Sequence, residues 1–153
     1  MNRHPGVVIA TVNDLQDPKG EGRIGLRYPW LPENTTSGWA PMSTPLAGGN
    51  RGMFFMPELQ DEVLVAFEQG DFDHPFILGF LWNGVDSPPT DNLQHRIIKT
   101  PGGLQLRFED DTPSIQLTTP GGLSIALDDS QSSITLNGGG RSIVMRNGSV
   151  QIL

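Results

Sequence analysis

The C-terminal third of the chain contains a short unit that occurs twice in direct succession. Residues 100–118 read TPGGLQLRFEDDTPSIQLT, and residues 119–137 read TPGGLSIALDDSQSSITLN. The two units share the opening Thr-Pro-Gly-Gly-Leu and agree again at one aspartate, one serine, one isoleucine and one leucine. A weaker third copy follows, with Gly-Gly-Arg-Ser-Ile at 139–143. Repeated short units usually build length, whereas an enzyme site is assembled once, so this region predicts an extended structural element.

Apolar and polar residues alternate strictly through this repeat region. A period of two with one polar face predicts short strands that bury one side only. A single strip of sheet has no second layer to cover its apolar side, and the pattern contains no helix that could supply one. The region therefore requires copies of itself, and we predict an oligomer. Its proposed core consists of Leu104, Leu106, Phe108, Ile115, Leu117, Leu123, Ile125, Leu127, Ile134, Leu136, Ile143, Met145, Val150 and Ile152.

Residues 6–84 have a different sequence pattern, in which strand-length apolar runs are separated by turn-rich stretches. The runs are GVVIATVND, RIGLRYPWL, SGWAPMST, DEVLVAFEQ and PFILGFLWNG. Each is enriched in β-branched and aromatic residues and bounded by glycine, proline, asparagine or aspartate. Five strands within about 80 residues predict a small barrel. We therefore predict an all-β chain with a barrel at 1–84, a proline-containing linker at 85–96 and the repeat region at 97–153.

Charge, cysteine content and hydropathy exclude several classes of function. The formal net charge is −7, and residues 1–95 carry all of it, with 12 acidic against 5 basic side chains. Nucleic-acid binding requires clustered lysine and arginine, which this sequence lacks, so no nucleic-acid partner is expected. The absence of cysteine excludes disulfides and thiolate metal sites. No apolar run reaches the length of a membrane span, and the N-terminal segment does not have the pattern of a signal peptide.

The three histidines of the chain, and the aspartates beside one of them, are residue types that can bind metal ions. Asp71, Asp73 and His74 lie together in GDFDHP. Aspartate is favoured in turns because its side chain bonds to nearby backbone groups, so the pattern favours a turn that joins two strands. His4 and His95 lie at segment edges without an evident partner. We therefore predict no metal site and no cofactor.

Other groups resemble catalytic or binding residues but are explained better as structure. Asp61 and Glu62 are adjacent, and adjacent strand residues point to opposite faces, so the two carboxylates cannot share a substrate. The acidic residues at 109–111 and 128–129 recur at equivalent repeat positions and are expected in solvated turns. Since no nucleophile–base pair can be assembled, we expect no enzymatic activity. Five aromatics could stack bases but are expected in core packing or subunit contacts: Tyr28, Trp30, Trp39, Phe54 and Phe55.

Two stretches, SGWAPMSTPLAGG and MPELQDEVLVAFEQGDFDHPFILGFLWNG, resemble the barrel of contractile-tail central spike proteins. This family includes the phage baseplate assembly protein V group and the VgrG spikes of type VI secretion. The residues that match the family pattern are Trp39, Ala40, Gly48, Gly49, Pro57, Asp61, Glu62, Val63, Leu64, Val65, Phe67, Gly70, Asp71, Asp73, Pro75, Gly79, Asn83 and Gly84. Departures from the pattern are modest: Gln60, Phe72 and Trp82 replace a glycine, a proline and a tyrosine.

The resemblance implies a fold, a function and a set of partners. It implies an OB-type barrel followed by an intertwined, triple-stranded β-helix, so that the oligomer is a homotrimer. The trimer would be a rod that joins a hub protein on its barrel side to the puncturing tip. It would pierce the target envelope, with transient contact with the target membrane, in a phage tail baseplate or an equivalent injection particle assembled from cytoplasmic components. The alternative is an OB-fold module that binds oligosaccharide or single-stranded nucleic acid, with the repeat as a stalk.

Features that the family sometimes carries are missing from this sequence. No hub domain precedes the barrel, which implies a separate hub protein, and no lysozyme-like insert separates barrel and tail. No His-x-His pair lies near the C-terminus, where some spike tips hold iron. The sequence instead ends on an apolar strand pattern, and exposed apolar patches usually mark docking surfaces. We therefore expect a small cap protein of the PAAR-repeat kind to bind Gly148, Ser149, Val150, Gln151, Ile152 and Leu153.

Overall fold

The computed structural model describes residues 6–33, 35 and 37–153. The chain divides into two compact units, of which the first ends at Ser87 and the second is Pro88–Leu153. All regular structure in the described residues is β-sheet, apart from a single 3-10 turn at Glu68–Gly70. The prediction of an all-β chain is therefore confirmed. Within the described ranges, no helix combines the length and apolar character needed to cross a membrane.

The first unit is built around a four-stranded antiparallel sheet. The sheet order is β2-β1-β5-β6, and a separate hairpin pairs β3 with β4. The strand bounds are β1 Val7–Asp14, β2 Gly25–Arg27, β3 Ala47–Gly48, β4 Arg51–Gly52, β5 Glu62–Phe67 and β6 Pro75–Leu81. Four of the five predicted runs therefore contain strands of the main sheet. The β3–β4 hairpin lies in the segment PLAGGNRGMFFMPELQ, between the third and fourth predicted runs.

The remaining predicted strand, SGWAPMST, does not form a continuous strand in the structure. It makes two isolated bridges, from Ala40 to Ile24 and from Met42 to Ile77. Between them lies Pro41, which has no backbone N–H to donate and so interrupts a ladder. Because Ile24 precedes β2 and Ile77 belongs to β6, these bridges connect the two edge strands of the sheet. The barrel is thus closed by a short irregular segment instead of a fifth full strand.

The barrel core consists of inward-facing side chains from alternate positions of the strands. In β5 the alternation is regular, with Val63, Val65 and Phe67 buried and the intervening residues half-buried. Tyr28 is also buried, and its hydroxyl lies 3.0 Å from Ser37 Oγ, which satisfies the phenolic group. The full set of buried apolar residues is Ala10, Val12, Ile24, Leu26, Tyr28, Ala40, Val63, Val65, Phe67 and Ile77. This unit therefore buries its own core within one chain.

An ion pair fixes the loop between β1 and β2. Arg23 donates from Nη2 to Asp17 Oδ1 at 2.7 Å and from Nε to Asp17 Oδ2 at 3.0 Å. The carboxylate also accepts backbone N–H groups from Lys19, Glu21 and Arg23. The hydrogen bonds from Arg23 are the main reason that the pKa of Asp17 lies well below its usual range. The carboxylate therefore holds this loop in one conformation at neutral pH.

The second unit is one seven-stranded antiparallel sheet in which consecutive strands are neighbours. The bounds are β7 His95–Lys99, β8 Gln105–Glu109, β9 Ser114–Thr118, β10 Ser124–Asp128, β11 Ser133–Gly138, β12 Arg141–Arg146 and β13 Ser149–Ile152. We call this unit the tail sheet. His95 and Arg96, predicted as the end of the linker, are the first residues of β7.

The strands of the tail sheet pair with one another within the chain. Strands β8 to β12 are each hydrogen-bonded on both edges to neighbours from the same chain. A strand of another chain cannot insert between them without breaking this ladder, because each backbone N–H and C=O group forms its bonds to one neighbour. The described chain therefore forms a single-layer sheet through pairs among its own strands, and the intertwined winding of three chains stays a prediction.

The repeat unit identified in the sequence corresponds to a turn and two strands. In the first TPGG turn, Gly103 N–H donates to Thr100 O at 2.9 Å, and Leu104 N–H donates to Thr100 Oγ1 at 3.1 Å. The second turn repeats both bonds between Thr119 and residues Gly122 and Leu123, at 3.0 and 3.2 Å. The final glycine of the two turns has φ +83° and +86°, a backbone conformation that favours glycine. The threonine hydroxyl accepts a backbone bond in each turn. These two roles explain why the threonine and the glycine occur in both repeats.

Replacing the second glycine of the repeat by alanine is expected to destabilise the tail sheet. Gly122 has φ +86°, a left-handed conformation in which a Cβ costs about 1–2 kcal/mol. A Cβ at this position has no heavy atom within 4 Å, so strain in the backbone would be the whole effect. Urea unfolding at fixed protein concentration should show a free energy of unfolding lower by this amount for Gly122→Ala.

Gly121→Ala is the matched control for this experiment. Gly121 does not have a positive φ, and a Cβ there meets only Thr119 Oγ1, at 3.9 Å. Its stability should equal that of the unchanged chain or exceed it slightly, because alanine reduces the freedom of the unfolded state. Equal losses for the two variants would contradict the turn assignment.

Candidate functional site

The tail sheet has one apolar face, formed by side chains that the register aligns in two rows. The first row runs across all the strands as Ile98, Leu106, Leu117, Ile125, Leu136, Ile143 and Ile152. The second contains Phe108, Ile115, Leu127, Ile134, Met145 and Val150. Leu104 and Leu123 extend the face at the TPGG turns, where they line the same depression as the first row. We call these residues the apolar face.

The structure places all the predicted core residues on this one face. Leu106 is half-buried, and the exposure of the others ranges from 37% for Ile115 to 74% for Ile152. Sequence analysis missed Ile98, because the predicted core began after the first TPGG turn. The local signal was weak, since HRIIK has two adjacent isoleucines and does not alternate, and only the pairing of Ile98 with Leu106 places it on this face. That the face forms an oligomer core stays a prediction.

The opposite face of the tail sheet is polar and forms its own contacts. Arg107 donates to Gln116 Oε1 at 2.7 Å and forms a 2.6 Å ion pair with Glu109. Asn137 donates to Ser124 Oγ at 3.0 Å. The Arg107–Gln116 and Asn137–Ser124 contacts are cross-strand pairs, which stabilise the sheet within one chain. The apolar face is therefore the side of the tail sheet that requires a second surface.

The predicted docking residues for a cap protein form the last strand and the turn before it. Gly148 and Asn147 both have positive φ, as a two-residue hairpin requires. Val150 lies opposite Met145 and Ile152 opposite Ile143, so both continue the apolar face. Val150, Ile152 and Leu153 are 64%, 74% and 68% exposed. Among the described residues, no strand pairs with the outer edge of β13.

The GDFDHP segment forms a turn, as predicted. His74 N–H donates to Asp71 O at 3.0 Å, and Asp73 N–H donates to Asp71 Oδ1 at 3.1 Å. The bond from Asp73, followed by the 3.1 Å contact with His74 Nδ1, holds the pKa of Asp71 below its usual range. The turn joins the 3-10 turn after β5 to the start of β6. His4 lies outside the described residues.

The other acidic groups are placed partly as predicted. Asp61 lies just before β5 and accepts Glu58 N–H at 2.9 Å, so it closes a turn and does not pair with Glu62. Asp110 and Asp111 are exposed in the turn after β8, as expected. Glu109 is different, since it belongs to β8 and its side chain is only 17% exposed, in an ion pair with Arg107.

The five aromatics divide between the barrel core and its surface. Tyr28 is buried, and its ring lies 5.2 Å from Trp30 and 5.8 Å from Phe67, between ring centroids. Trp39 is half-buried, whereas Trp30 is 47% exposed. Phe54 and Phe55 follow the β3–β4 hairpin and are 75% and 49% exposed. Leu46, Met53 and Leu59 in the same segment are exposed as well. This segment is therefore a second exposed apolar surface, which we call the barrel loop.

The structure also brings together three residues that the sequence did not associate. His95 at the start of β7, Glu109 at the end of β8 and Asp111 in the following turn have ligand atoms within 4.8 Å of one another. His95 and Glu109 are directly opposite in the β7–β8 register. Sequence analysis treated His95 as a residue without a partner, because its neighbours come from a strand 14 residues further along the chain.

Comparison with known proteins identifies the barrel. Residues 8–82 match the family described as the Type VI secretion system/phage-baseplate injector OB domain. This range covers β1 to β6 of the barrel. The barrel belongs to this family. The resemblance inferred from the Trp-Ala and Asp-Glu-Val-Leu-Val segments is therefore confirmed.

The similarity to VgrG proteins extends beyond the barrel into the tail. The chain is 30% identical to the actin cross-linking toxin VgrG1 of Vibrio cholerae, over 73% of this chain and 12% of that protein. It is 29% identical to the type VI secretion system spike protein VgrG3 of Vibrio cholerae, over 73% of this chain and 13% of the relative. VgrG2a of Pseudomonas aeruginosa, also a type VI spike protein, is 28% identical over 74% of this chain. The chain spans 12–15% of the length of these relatives.

Proposed function

We propose that the chain is the central spike of a contractile injection apparatus, in which three copies form a rod that transmits force to the target envelope. The observation that carries this proposal is the apolar face, which is continuous over the seven strands of the tail sheet and has no cover within its own unit. Burying a Leu, Ile or Val side chain contributes about 1.5–3 kcal/mol, so covering this face is strongly favourable. We propose a mechanical role without a catalytic step.

The strand length limits how many copies can share one core. Five-residue strands are about 17 Å long, so three such sheets arranged as a prism would each lie about 5 Å from the common axis. That is half of the roughly 10 Å that separates packed sheets, so side chains would fill the interior. Four sheets in a square would lie about 8 Å from the axis and leave a void. Strand length thus favours two or three copies, and the family resemblance favours three.

In this proposal the apolar faces of the three tail sheets all point toward the common axis, and the strands of different chains do not interleave. Each sheet retains its own hydrogen-bond ladder, and the trimer adds burial of the apolar face. A rod built in this way resists bending, because bending would separate packed side chains in a close-packed core. It also resists compression along the axis, since the ladder bonds of every sheet lie along that direction. These are the mechanical properties that a puncturing element needs.

The proposal predicts that the purified chain is a homotrimer. Native mass spectrometry and light scattering should both give three times the mass of one chain, independent of concentration in the micromolar range. A stable dimer would keep the idea that the apolar face is covered but would reject the prism. A folded monomer would show that the face tolerates water and would remove the main support for a spike.

A charge on the apolar face should prevent assembly, whereas the same charge on the polar face should not. Ile125→Asp places one carboxylate per chain in the proposed core, at a cost of several kcal/mol for each unpaired buried charge. Ala126→Asp puts the same charge one residue further along β10, on the opposite face between Gln116 and Thr135. We expect dissociation or aggregation for the first variant and an intact trimer for the second. Native mass spectrometry distinguishes these outcomes, and identical behaviour would contradict the assignment of faces.

We further propose that a hub protein binds the barrel loop and that a cap protein of the PAAR-repeat kind binds β13. Phe54 is 75% exposed, more than an isolated domain needs to leave in water, and large exposed apolar patches usually mark docking surfaces. The outer edge of β13 offers unpaired backbone groups, together with Val150 and Ile152. A strand edge with exposed apolar side chains readily pairs with another chain.

The two contacts can be tested against each other in assembled particles. A chain with Phe54→Ser and Phe55→Ser should lose the hub from co-purified particles and retain the cap. A chain without residues 148–153 should do the opposite, and both should remain trimers by native mass. Because each variant controls for the other, loss of both partners in either variant would indicate a general folding defect. Retention of both partners in both variants would reject the proposed contacts.

A further inference from the structure

We infer that His95, Glu109 and Asp111 form a binding site for a divalent transition-metal ion at the first hairpin of the tail sheet. His95 opens β7, Glu109 ends β8, and Asp111 lies in the turn that follows. One imidazole nitrogen and two carboxylates are a typical ligand set for such ions. The site lies on the polar side of the sheet and within one chain, so it does not depend on the proposed function.

The three side chains already face one another. Their ligand atoms lie within 4.8 Å of one another, and His95 and Glu109 are half-buried. A bound zinc ion with ligand distances of about 2.0–2.2 Å would draw these atoms to about 3.3 Å apart. Each side chain would have to shift by an ångström or less, which rotation about the side-chain torsions permits without moving the strands. The backbone is fixed, since His95 and Glu109 are cross-strand partners.

The surroundings of His95 hold its ring in the form that a metal requires. Asn92 Oδ1 accepts Gln94 N–H at 2.9 Å, which assigns the other end of that amide as the NH2 group. This NH2 lies 3.1 Å from His95 Nε2, so Nε2 is the acceptor and the ring proton is on Nδ1. Nδ1 in turn lies 3.2 Å from Thr90 Oγ1 and donates to it. A metal-binding histidine commonly donates its second ring N–H in this way.

The Asn92 amide occupies the position that a cation would take. Its NH2 group donates to His95 Nε2 at 3.1 Å and to Asp111 Oδ2 at 3.4 Å. The partial positive charge of this group thus lies between two of the three ligands. An ion that enters must displace it, so we expect moderate affinity. The ion would replace two long hydrogen bonds with coordinate bonds and tie residues 90–94 to the first hairpin.

Glu109 retains capacity for a metal although it has two partners. Its Oε1 lies 2.6 Å from Arg107 Nη2, and its Oε2 accepts Ser114 Oγ at 3.3 Å. An ionised carboxylate has about four lone-pair sites, so two remain. The positive charge of Arg107 disfavours an ion that is held by electrostatic attraction alone. The imidazole ligand separately favours Zn²⁺, Co²⁺ or Ni²⁺ over Ca²⁺ or Mg²⁺, which prefer oxygen ligands.

The test is titration of the full-length protein with Zn²⁺ and Co²⁺ at pH 7.5. Isothermal calorimetry gives the dissociation constant, and the visible absorption of bound Co²⁺ reports nitrogen and oxygen ligands. His95→Gln should weaken binding at least about tenfold, as loss of an important ligand or its support commonly does. His74→Gln is the matched control, because His74 forms a 3.1 Å pair with Asp71 and belongs to no such three-residue group among the described residues. It should leave the dissociation constant unchanged.

A second variant makes the inference sharper. Asn92→Asp keeps the oxygen that accepts Gln94 N–H and replaces the NH2 group with a fourth possible ligand. It should tighten Zn²⁺ binding at least about tenfold, while circular dichroism confirms that both variants remain folded. Absence of Zn²⁺ binding by the unchanged chain would overturn the inference, as would equal affinity for His95→Gln. Weaker binding by Asn92→Asp would show that the ion lies elsewhere.

Discussion

Removal of one apolar sheet face from water is the constraint on which the tail of this protein depends. A seven-stranded meander satisfies its own backbone hydrogen bonds except along the outer edges of β7 and β13, so the interior of the ladder needs no partner. Its apolar rows remain exposed, because a single layer cannot cover them and the tail contains no helix among its described elements. The same alternation that makes the sheet regular therefore creates the requirement for a second surface. In the proposed trimer, assembly would follow from the sheet itself.

The barrel covers its own apolar sheet face within one chain, and the difference from the tail sheet lies in the connections between strands. Two isolated bridges, at Ala40 and Met42, connect the edge strands and curve the sheet over its own side chains. Residues such as Val12 and Ile77 are thereby fully buried. In the tail, short turns send each strand straight back beside its predecessor, so the sheet cannot curl to cover itself. Loop length thus decides which unit covers its own apolar side chains and which leaves them exposed.

Much of the fold could be predicted from the sequence because period two is a local signal. The alternation in SIQLT or SIALD assigns each side chain to a face, and the TPGG repeat indicates the turns. Strand pairing is less local, because the pattern is the same whether the neighbouring strand belongs to one chain or to another, so the trimeric winding stays a prediction. Pro41 is a similar case, because its effect on the third run depends on bridges to distant strands. His95 was missed since Glu109 and Asp111 approach it only through the β7–β8 register.

Separation of the two faces allows the tail to carry more than one property. Substitutions on the polar face leave the apolar rows untouched, since neighbouring residues in a strand point to opposite sides. The Arg107–Glu109 and Asn137–Ser124 contacts and the His95 cluster all lie on that polar side or in its turns. The repeat can therefore keep its assembling rows constant while turns and polar positions differ from one unit to the next. If the sheet assembles through its apolar face as proposed, the other face remains free to acquire binding chemistry.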